Sequence, residues 1–585
     1  MQRSNPGPAA LSWRRGSDGE VLLKHYPPGV PADVDLTQYR SLVHLLDDGL
    51  ARFAARDAYV FMDRKVTFAE VDRQSAGFGA WLQARGLAPG ARVALMMPNV
   101  PQYPIALAGV LRAGCVVVNV NPLYTPRELE HQLRDSGAEA IVVLENFATT
   151  LQQVIAKTAV RQVVVASIGD LLGFPKGAIT NFAIRRIKKM VPAYTLPGAV
   201  RFNDAVAEGA GRTLAKPDVG PDDIAFLQYT GGTTGVSKGA TLLHRNMVAN
   251  VLQLEAWVKP ALGDSSRGPV PEQFVYVCAL PLYHVFALVV NCLAGVRLGT
   301  LNVLIANPRD ISGFVAELGK YRFNVIPGVN TLYSALANNA EFRKLDFSHL
   351  RVANGGGMAV QRAVAEKWLA VTGVPIIEGY GLSETSPVAT CNPATAREYN
   401  GTIGLPFPNT EIAILDDNGR PVSLGEPGEI AIRGPQVMAG YWQRPDETAK
   451  VMTADGYFKS GDVGVMDERG YTRIVDRKKD MIIVSGFNVY PNEVEGVIAM
   501  HPGVAECAAV GIPDERCGEA VKVFVVRREA TLNEDELMEW CRQQLTGYKK
   551  PKYIEFRTNL PKSNVGKILR RELRDSKPAG EARSA

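Results

Sequence analysis

No apolar run in this 585-residue chain is long and clean enough to cross a membrane. The most hydrophobic stretch, Val285 to Ile305, is interrupted by Asn291 and Arg297, whereas a spanning helix needs about 20 uninterrupted apolar residues. The opening MQRSNPGPAALSWRRGSDGE carries no apolar core of the kind that marks a secretory leader. Cysteine is scarce: Cys115, Cys278, Cys292, Cys391, Cys507, Cys517 and Cys541 are scattered and form no CxxC pair. That pattern excludes a disulfide framework and a zinc site, and it suits a reducing cytoplasm. Net charge is small, +5 from 65 Lys and Arg against 60 Asp and Glu. A nucleic-acid binder would carry a concentrated basic field, so no nucleic-acid partner is expected. The chain reads as soluble and cytoplasmic, without internal repeats.

What is present is length and ordinary globular composition, 46% hydrophobic and 21% charged. One compact core does not accommodate so long a chain, so two or more domains are expected. From Thr67 to about Leu415, short β-rich runs alternate with helix-like stretches. Arg92–Met97, Cys115–Val120, Ala140–Leu144 and Gln162–Ala166 are apolar at nearly every position, as strands of a parallel sheet covered on both faces are. Beyond Gly404 the texture changes. Glu411–Leu415 and Gly428–Arg433 flank the turn Asp416-Asp-Asn-Gly419, and Asp467–Gly470 precedes Tyr471–Val475. After Asp476 a smaller mixed region follows, with strands at 508–512, 521–526 and 553–556 and a helix at 534–545. The fold class is therefore α/β: a large N-terminal domain of layered α/β subdomains plus a β subdomain, then a small α+β C-terminal domain. The expected divisions are 1–475 and 476–575, with 576–585 as a disordered tail.

The densest chemistry lies in Tyr229-Thr-Gly-Gly-Thr-Thr-Gly-Val-Ser-Lys-Gly239, directly after the apolar run Ile224–Leu227. Glycines let backbone N–H groups close around an anion, Thr230, Thr233, Thr234 and Ser237 add hydroxyls, and Lys238 adds charge. This is a phosphate cradle, although no GxxxxGK[ST] register fits. Gly235-Val-Ser-Lys-Gly239 also matches the GxSxG elbow of hydrolases, but that motif leaves the preceding Thr-Gly-Gly-Thr-Thr unexplained. A second loop, Glu378-Gly-Tyr-Gly-Leu-Ser-Glu-Thr385, offers Tyr380 for stacking on a base and Glu384 as a hard oxygen ligand for Mg²⁺. Ser460-Gly-Asp462 places a carboxylate after a tight turn, suited to ribose hydroxyls, although turn chemistry alone also explains it. Asp476-Arg-Lys-Lys-Asp480 is a charged pivot before a buried strand, or merely a solvated charge run. Leu560-Pro-Lys-Ser-Asn-Val-Gly-Lys567 ends on a Gly-flanked lysine near the end of the chain.

In this order and spacing the five loops resemble the adenylate-forming (AMP-binding) superfamily of acyl-CoA synthetases, luciferases and peptide-synthetase adenylation domains, over about residues 40 to 575. Leu280–Phe286, Gly355–Met358, Gly434–Pro445, Val484–Glu493 and Leu545–Lys549 are similar to the bacterial long-chain fatty acyl-CoA synthetases. The resemblance implies an enzyme that activates a long-chain fatty acid with ATP and Mg²⁺ and passes it to CoA, for fatty-acid degradation or lipid synthesis. It implies a mobile C-terminal lid that rotates between the two steps. Thr230, Gly231, Gly232, Thr233, Thr234, Gly235 and Lys238 would hold phosphates, and Glu384 with Thr230 would hold Mg²⁺. Gly355, Gly356 and Gly357 with Glu378, Gly379, Tyr380, Gly381 and Ser383 would line the adenine slot. Asp462 and Arg477 would bind ribose, and Lys567 would meet the charge developing between carboxylate and α-phosphate. Asp476 would be the hinge. Ser485, Gly486 and Phe487 would face the centre after rotation.

The resemblance also implies that His284 lies beside the acyl carboxylate; beside Tyr283 and Phe286 it could equally be a core-edge residue. Two departures stand out. Ser237 replaces the commoner proline of the phosphate loop, and no tryptophan follows His284 within Ala287–Cys292. Other acids or acceptors on the same fold are the main alternatives: an aryl- or medium-chain-CoA ligase, a fatty acyl-AMP ligase, or a carrier-loading domain. A non-catalytic binding protein on this scaffold would have lost Lys567 or Glu384. A homo-oligomer is left open. Finally, residues 178–191 form an amphipathic stretch. At 100° per residue Ile179, Phe182, Ala183, Ile187, Met190 and Val191 share a face, opposite Arg185, Lys188 and Lys189. A basic amphipathic helix can lie among lipid headgroups, so peripheral contact with the inner membrane is expected through 178–191; docking on its own domain is the alternative.

Overall fold

Continuous apolar runs become strands because only a position buried on both faces favours Val and Ile on both sides of the pleat. In the computed structural model, which describes residues 24–230, 237–485, 487–514, 516–563 and 566–575, those runs form parallel ladders. Arg92–Met96 pairs with Val116–Asn119 on one side and Ala140–Leu144 on the other, and the latter pairs with Gln162–Ala166. On the far side of Val116–Asn119 lies Ile224–Thr230, which turns back as the antiparallel strand Lys238–Leu243, itself edged by Gly440–Tyr441.

A second large sheet is parallel from Asp57–Phe61 through Leu301–Leu304, Val275–Cys278, Val325–Gly328 and Val352–Gly355 to Ile376–Gly381. Val388–Cys391 and then Leu405–Pro406 extend it antiparallel at one edge, and Arg64–Thr67 does so at the other. A third, wholly antiparallel sheet is built from Glu411–Leu415, Gly428–Arg433, Phe458–Met466 and Thr472–Arg477. The small C-terminal domain has its own sheet around the long pair Val504–Asp514 and Gly518–Arg527, with Tyr553–Arg557 added in parallel. Its core of Val489, Val494, Ile498, Val523, Val525 and Leu537 is separate from that of the large domain. The molecule is thus a large layered α/β domain and a small α+β domain.

The stretch Val285–Ile305 stays inside this large domain as helical turns from Val285 to Leu298, including a π-helical segment Leu288–Leu293, followed by the strand Leu301–Leu304. Among the described residues no helix is long and apolar enough to cross a membrane.

One expectation is corrected. Residues 178–191 do not form one regular helix, and Arg185 does not join the exposed Lys188 and Lys189 in solvent. An α-helix over Lys176–Phe182 passes into a π-turn over Ala183–Ile187, which advances the side chains by less than 100° each. Ile184 is thereby buried, and Arg185 turns inward to grip the buried Glu145, with contacts of 2.7 to 3.1 Å. Ile179, Phe182, Ile187 and Met190 are left pointing into solvent.

Candidate active site

The strand Ile224–Thr230 and the strand Lys238–Leu243 hold the two ends of the phosphate cradle, with Thr230 and Lys238 directly opposite in the ladder. Gly231, Gly232, Thr233, Thr234 and Gly235 lie outside the described residues. A strand follows Ser237, not a helix, so the strand–turn–helix geometry of a hydrolase elbow is absent here. The cradle's base is anchored from several sides. His131 Nε2 lies 2.9 Å from the Ser237 carbonyl. Tyr229 donates its hydroxyl to Asp135 at 2.7 Å, and Arg444 reaches the other oxygen of the same carboxylate at 2.8 Å. The Lys238 ammonium pairs with Glu447 and stands 5.2 Å from the centroid of the Tyr441 ring.

Parallel strands end together, and two of these ends form the opposite wall. Gly355, closing Val352–Gly355, is paired with Glu378. A Cβ on Gly356 would come within 3.0 Å of the Phe286 ring and 3.2 Å of the Gly379 carbonyl oxygen, and Gly357 is left-handed at φ 76°. Only glycine keeps this wall flat. The Glu378 side chain does not face the cleft. Its carboxylate accepts the Val360 N–H at 2.8 Å, and burial pushes its pKa up to about 7. Tyr380 is buried, and its hydroxyl donates to Asp462 at 2.7 Å. Ser383 opens a short 3₁₀ turn, Ser383–Thr385, that presents Glu384. Glu384 is buried, which raises its carboxyl above the usual range, and it accepts the Tyr441 hydroxyl at 2.7 Å.

Asp462 does not follow a tight turn. It lies within the strand Phe458–Met466, next to left-handed Gly461, and directly opposite Arg477, whose Nε is 3.1 Å from its carboxylate. Asp476, the neighbour of Arg477, is fully buried. Its two oxygens accept the N–H groups of Arg477 and Asn492 at 2.7 and 2.8 Å. Burial raises its pKa to about 6, against the pull of the Arg570 charge.

The C-terminal domain completes the cleft with Lys567. A hairpin holds it: Ser563 N–H donates to the Lys567 carbonyl at 2.7 Å, and Lys567 N–H donates to Ser563 Oγ at 3.1 Å. Left-handed Gly566 packs so tightly on the large domain that a Cβ would lie 2.7 Å from Thr331 Oγ1. Burial lowers the Lys567 pKa to about 7, helped by the nearby Arg477 charge and opposed by Asp462. His284 begins the turn Val285–Ala287. Burial holds it down to about 4, and the Lys567 charge adds to this. Ser485 and Phe487 lie elsewhere: Phe487 is exposed and stacks on Tyr548 at 4.8 Å. Gly486 is outside the described residues.

The structure thus brings Lys238, Glu384, Asp462, Arg477, Lys567 and His284 to one cleft between the domains. It leaves the Glu378 side chain, Ser485 and Phe487 out. Sequence reasoning missed Tyr441, Glu447 and Arg570. Arg570 ties the Lys567 segment to Asn492 at 2.6 Å and to Glu495 at 2.8 Å. All three side chains act across chain distances that leave no local pattern.

The family model of AMP-binding enzymes matches residues 46–442, and that of the AMP-binding enzyme C-terminal domain matches residues 493–567. The long-chain-fatty-acid–CoA ligase of Escherichia coli O157:H7 is 55% identical over 557 residues, covering 95% of this chain and 98% of that protein. The ATP-bound crystal structure of MatB from Rhodopseudomonas palustris superposes with a TM-score of 0.78 at 29% identity, covering 92% of this chain and 98% of that one. The anthranilate CoA ligase AuaEII in complex with anthranoyl-AMP gives 0.80 at 25% identity, with the same coverage. With these two family models matching its two domains and a relative 55% identical over 95% of its length, the chain belongs to the AMP-binding, adenylate-forming enzyme family.

Proposed function

We infer that this chain is a long-chain fatty acid–CoA ligase: it activates the acid with ATP to an acyl-adenylate and then forms the CoA thioester. The observation that carries this is the meeting of Lys567 from the small domain with His284 and the Asp462–Arg477 pair of the large domain. A carboxylate is a poor electrophile, so its oxygen first attacks the α-phosphorus. The bond to the β-phosphate oxygen breaks and pyrophosphate leaves. That step crowds anions together, and preorganised positive charge lowers its barrier. Lys567 supplies charge at the α-phosphate and Lys238 at the leaving phosphates. Glu447 holds Lys238 until the triphosphate displaces it. The Asp462 carboxylate, fixed by Tyr380 and Arg477, accepts the ribose hydroxyls. His284 is neutral and beside the carboxylate, so it donates or accepts a hydrogen bond without adding charge.

Mg²⁺ suits this donor set. It is usually held by one or two carboxylates while phosphate oxygens and waters complete its shell. Glu384 keeps one oxygen on Tyr441 and has a second for the ion, and Thr230 adds a hydroxyl from the end of its strand. The ion would neutralise charge on the phosphates.

In the second step the sulfur of CoA attacks the acyl carbonyl, AMP leaves with the bonding pair, and the thiol gives up its proton. Here Lys567 occupies the cleft while Phe487 faces solvent, the arrangement suited to adenylation. Rotation about Asp476 would exchange Lys567 for Ser485, Gly486 and Phe487. The test is ATP- and Mg²⁺-dependent AMP formation across acids from acetate to oleate, with benzoate and cinnamate, with and without CoA. Turnover peaking at the long-chain acids and acyl-CoA appearing only with CoA supports the reading. A maximum among the short or aromatic acids overturns the substrate, and no AMP with any acid overturns the chemistry.

We also propose that the protein touches an anionic membrane through residues 174–190, where a water-insoluble acid would arrive. Phe174 is 93% exposed and Ile187 71%, beside exposed Ile179, Phe182 and Met190. No Asp or Glu occurs between Asp170 and Asp204, while exposed Lys176, Arg186, Lys188 and Lys189 flank the patch. Apolar side chains ringed by basic ones match a lipid surface. Replacing Phe174, Phe182 and Ile187 together by Ser should abolish sedimentation with phosphatidylglycerol vesicles and leave turnover of a soluble acid intact. Unchanged sedimentation discards the contact.

A further inference from the structure

Tyr441 touches both ends of the charge machinery. Its hydroxyl donates to Glu384 Oε1 at 2.7 Å, and its ring centroid lies 5.2 Å from the Lys238 ammonium. The hydroxyl is the donor in this contact, because the oxygens of an ionised carboxylate only accept. The backbone around it is fixed on three sides. Tyr441 pairs with Ala240 across the strand Lys238–Leu243, and Trp442 N–H donates to the Gly239 carbonyl at 2.7 Å. Met438 N–H donates to the Glu384 carbonyl at 2.8 Å. Tyr441 N–H donates to Thr448 Oγ1 at 2.9 Å, on the helix Pro445–Val451 that also carries Glu447. The aromatic ring therefore has little freedom, and both charged groups are set against it.

We propose that Tyr441 is a positioning residue that fixes the Glu384 carboxylate and the Lys238 ammonium relative to each other, so that metal and triphosphate are received in one geometry. This rests on the roles given above to Glu384 and Lys238. The hydroxyl leaves one carboxylate oxygen free and aims it. The ring face attracts the ammonium by a cation–π contact and keeps it on the phosphate side when Glu447 lets go. Groups that orient a metal's ligand without touching the metal are typically worth about 10- to 100-fold in metal affinity.

The test is Mn²⁺ binding in the presence of ATP, followed by electron paramagnetic resonance on the full-length protein, which needs no turnover. Tyr441→Phe keeps the ring and removes only the donor. It should raise the Mn²⁺ concentration for half-saturation about tenfold. Tyr441→Leu, which loses the ring as well, should raise the KM for ATP beyond that of Tyr441→Phe. Glu384→Gln separates the two levels of the argument. If Glu384→Gln abolishes ATP-linked Mn²⁺ binding and Tyr441→Phe binds like the parent, the positioning role is overturned and the metal site stands. If Glu384→Gln also binds like the parent, the assignment of Glu384 is overturned.

Discussion

The Lys567 ammonium, carried by the small domain, lies near enough to the buried His284 of the large domain to add to the burial that keeps this imidazole uncharged. The contact crosses the domain boundary, so proton affinities in the cleft depend on where the small domain sits. Glu384 and Asp462 lie in the large domain, and Arg477 pairs with Asp462 on a strand of the same domain, whereas Lys567 is carried by the small one. Removal of the small domain from the cleft therefore takes away one positive charge and nothing else from the set.

This sets the pH dependence of the first step. The ordinary lysine value is 10.5, and burial brings Lys567 to about 7 in the free enzyme. Its proton is therefore held below about pH 7 and lost above it. With the role in adenylation proposed for this ammonium, kcat/KM for adenylation should fall above neutral pH while kcat falls only at higher pH. Bound triphosphate and carboxylate draw the lysine value upward. Lys567→Arg, charged throughout, should remove the limb. His284, near 4, should contribute none from about pH 6 to 9. A flat kcat/KM profile for the parent enzyme over that range contradicts the assignment.

The Tyr380 hydroxyl is a second point of control, since it is one of two groups fixing the buried Asp462 carboxylate. Hydrogen bonds to charged groups are worth about 1.5 to 3 kcal/mol. Tyr380→Phe should therefore raise the KM for ATP about tenfold or more, with little change in the affinity for the fatty acid. Isothermal titration with each substrate separates the two effects; equal weakening of both would contradict a hydroxyl that acts only through Asp462.

Glycine at 381 is a matter of space alone. A Cβ there would sit 1.7 Å from the Pro387 carbonyl oxygen, a backbone atom that cannot swing away. Gly381→Ala should cost about 3 kcal/mol of stability, seen as a lower denaturant midpoint. Gly419, left-handed but open on all sides, should lose only about 1 kcal/mol as Ala. Similar midpoints for the two variants would refute the steric account.

The strands were legible because burial on both faces leaves an unbroken apolar run: Ala140–Leu144 and Gln162–Ala166 are found with those limits. The loops stood out in the sequence because a site for phosphate and ribose would require Gly, Thr, Lys and Asp in dense clusters. What escaped lies between distant segments. Tyr441 meets Glu384 from 57 positions away, and Arg570 meets Glu495 from 75 positions away; neither pairing leaves a local signature. The 178–191 segment was half legible. Its apolar spacing is visible, but the π-turn that shifts its phase and the Glu145 that captures Arg185 belong to packing. The Ser460–Asp462 turn was misread because Gly461 bends a strand instead of ending it.

The division of labour is tested most directly by giving Lys567→Ala each half-reaction separately. Pyrophosphate release from ATP and fatty acid should fall about 1000-fold, a loss of about 4 kcal/mol. Conversion of synthetic acyl-AMP and CoA to acyl-CoA should stay within about threefold of the parent rate. Equal losses in the two reactions would contradict a lysine that acts only while the small domain closes the cleft for adenylation.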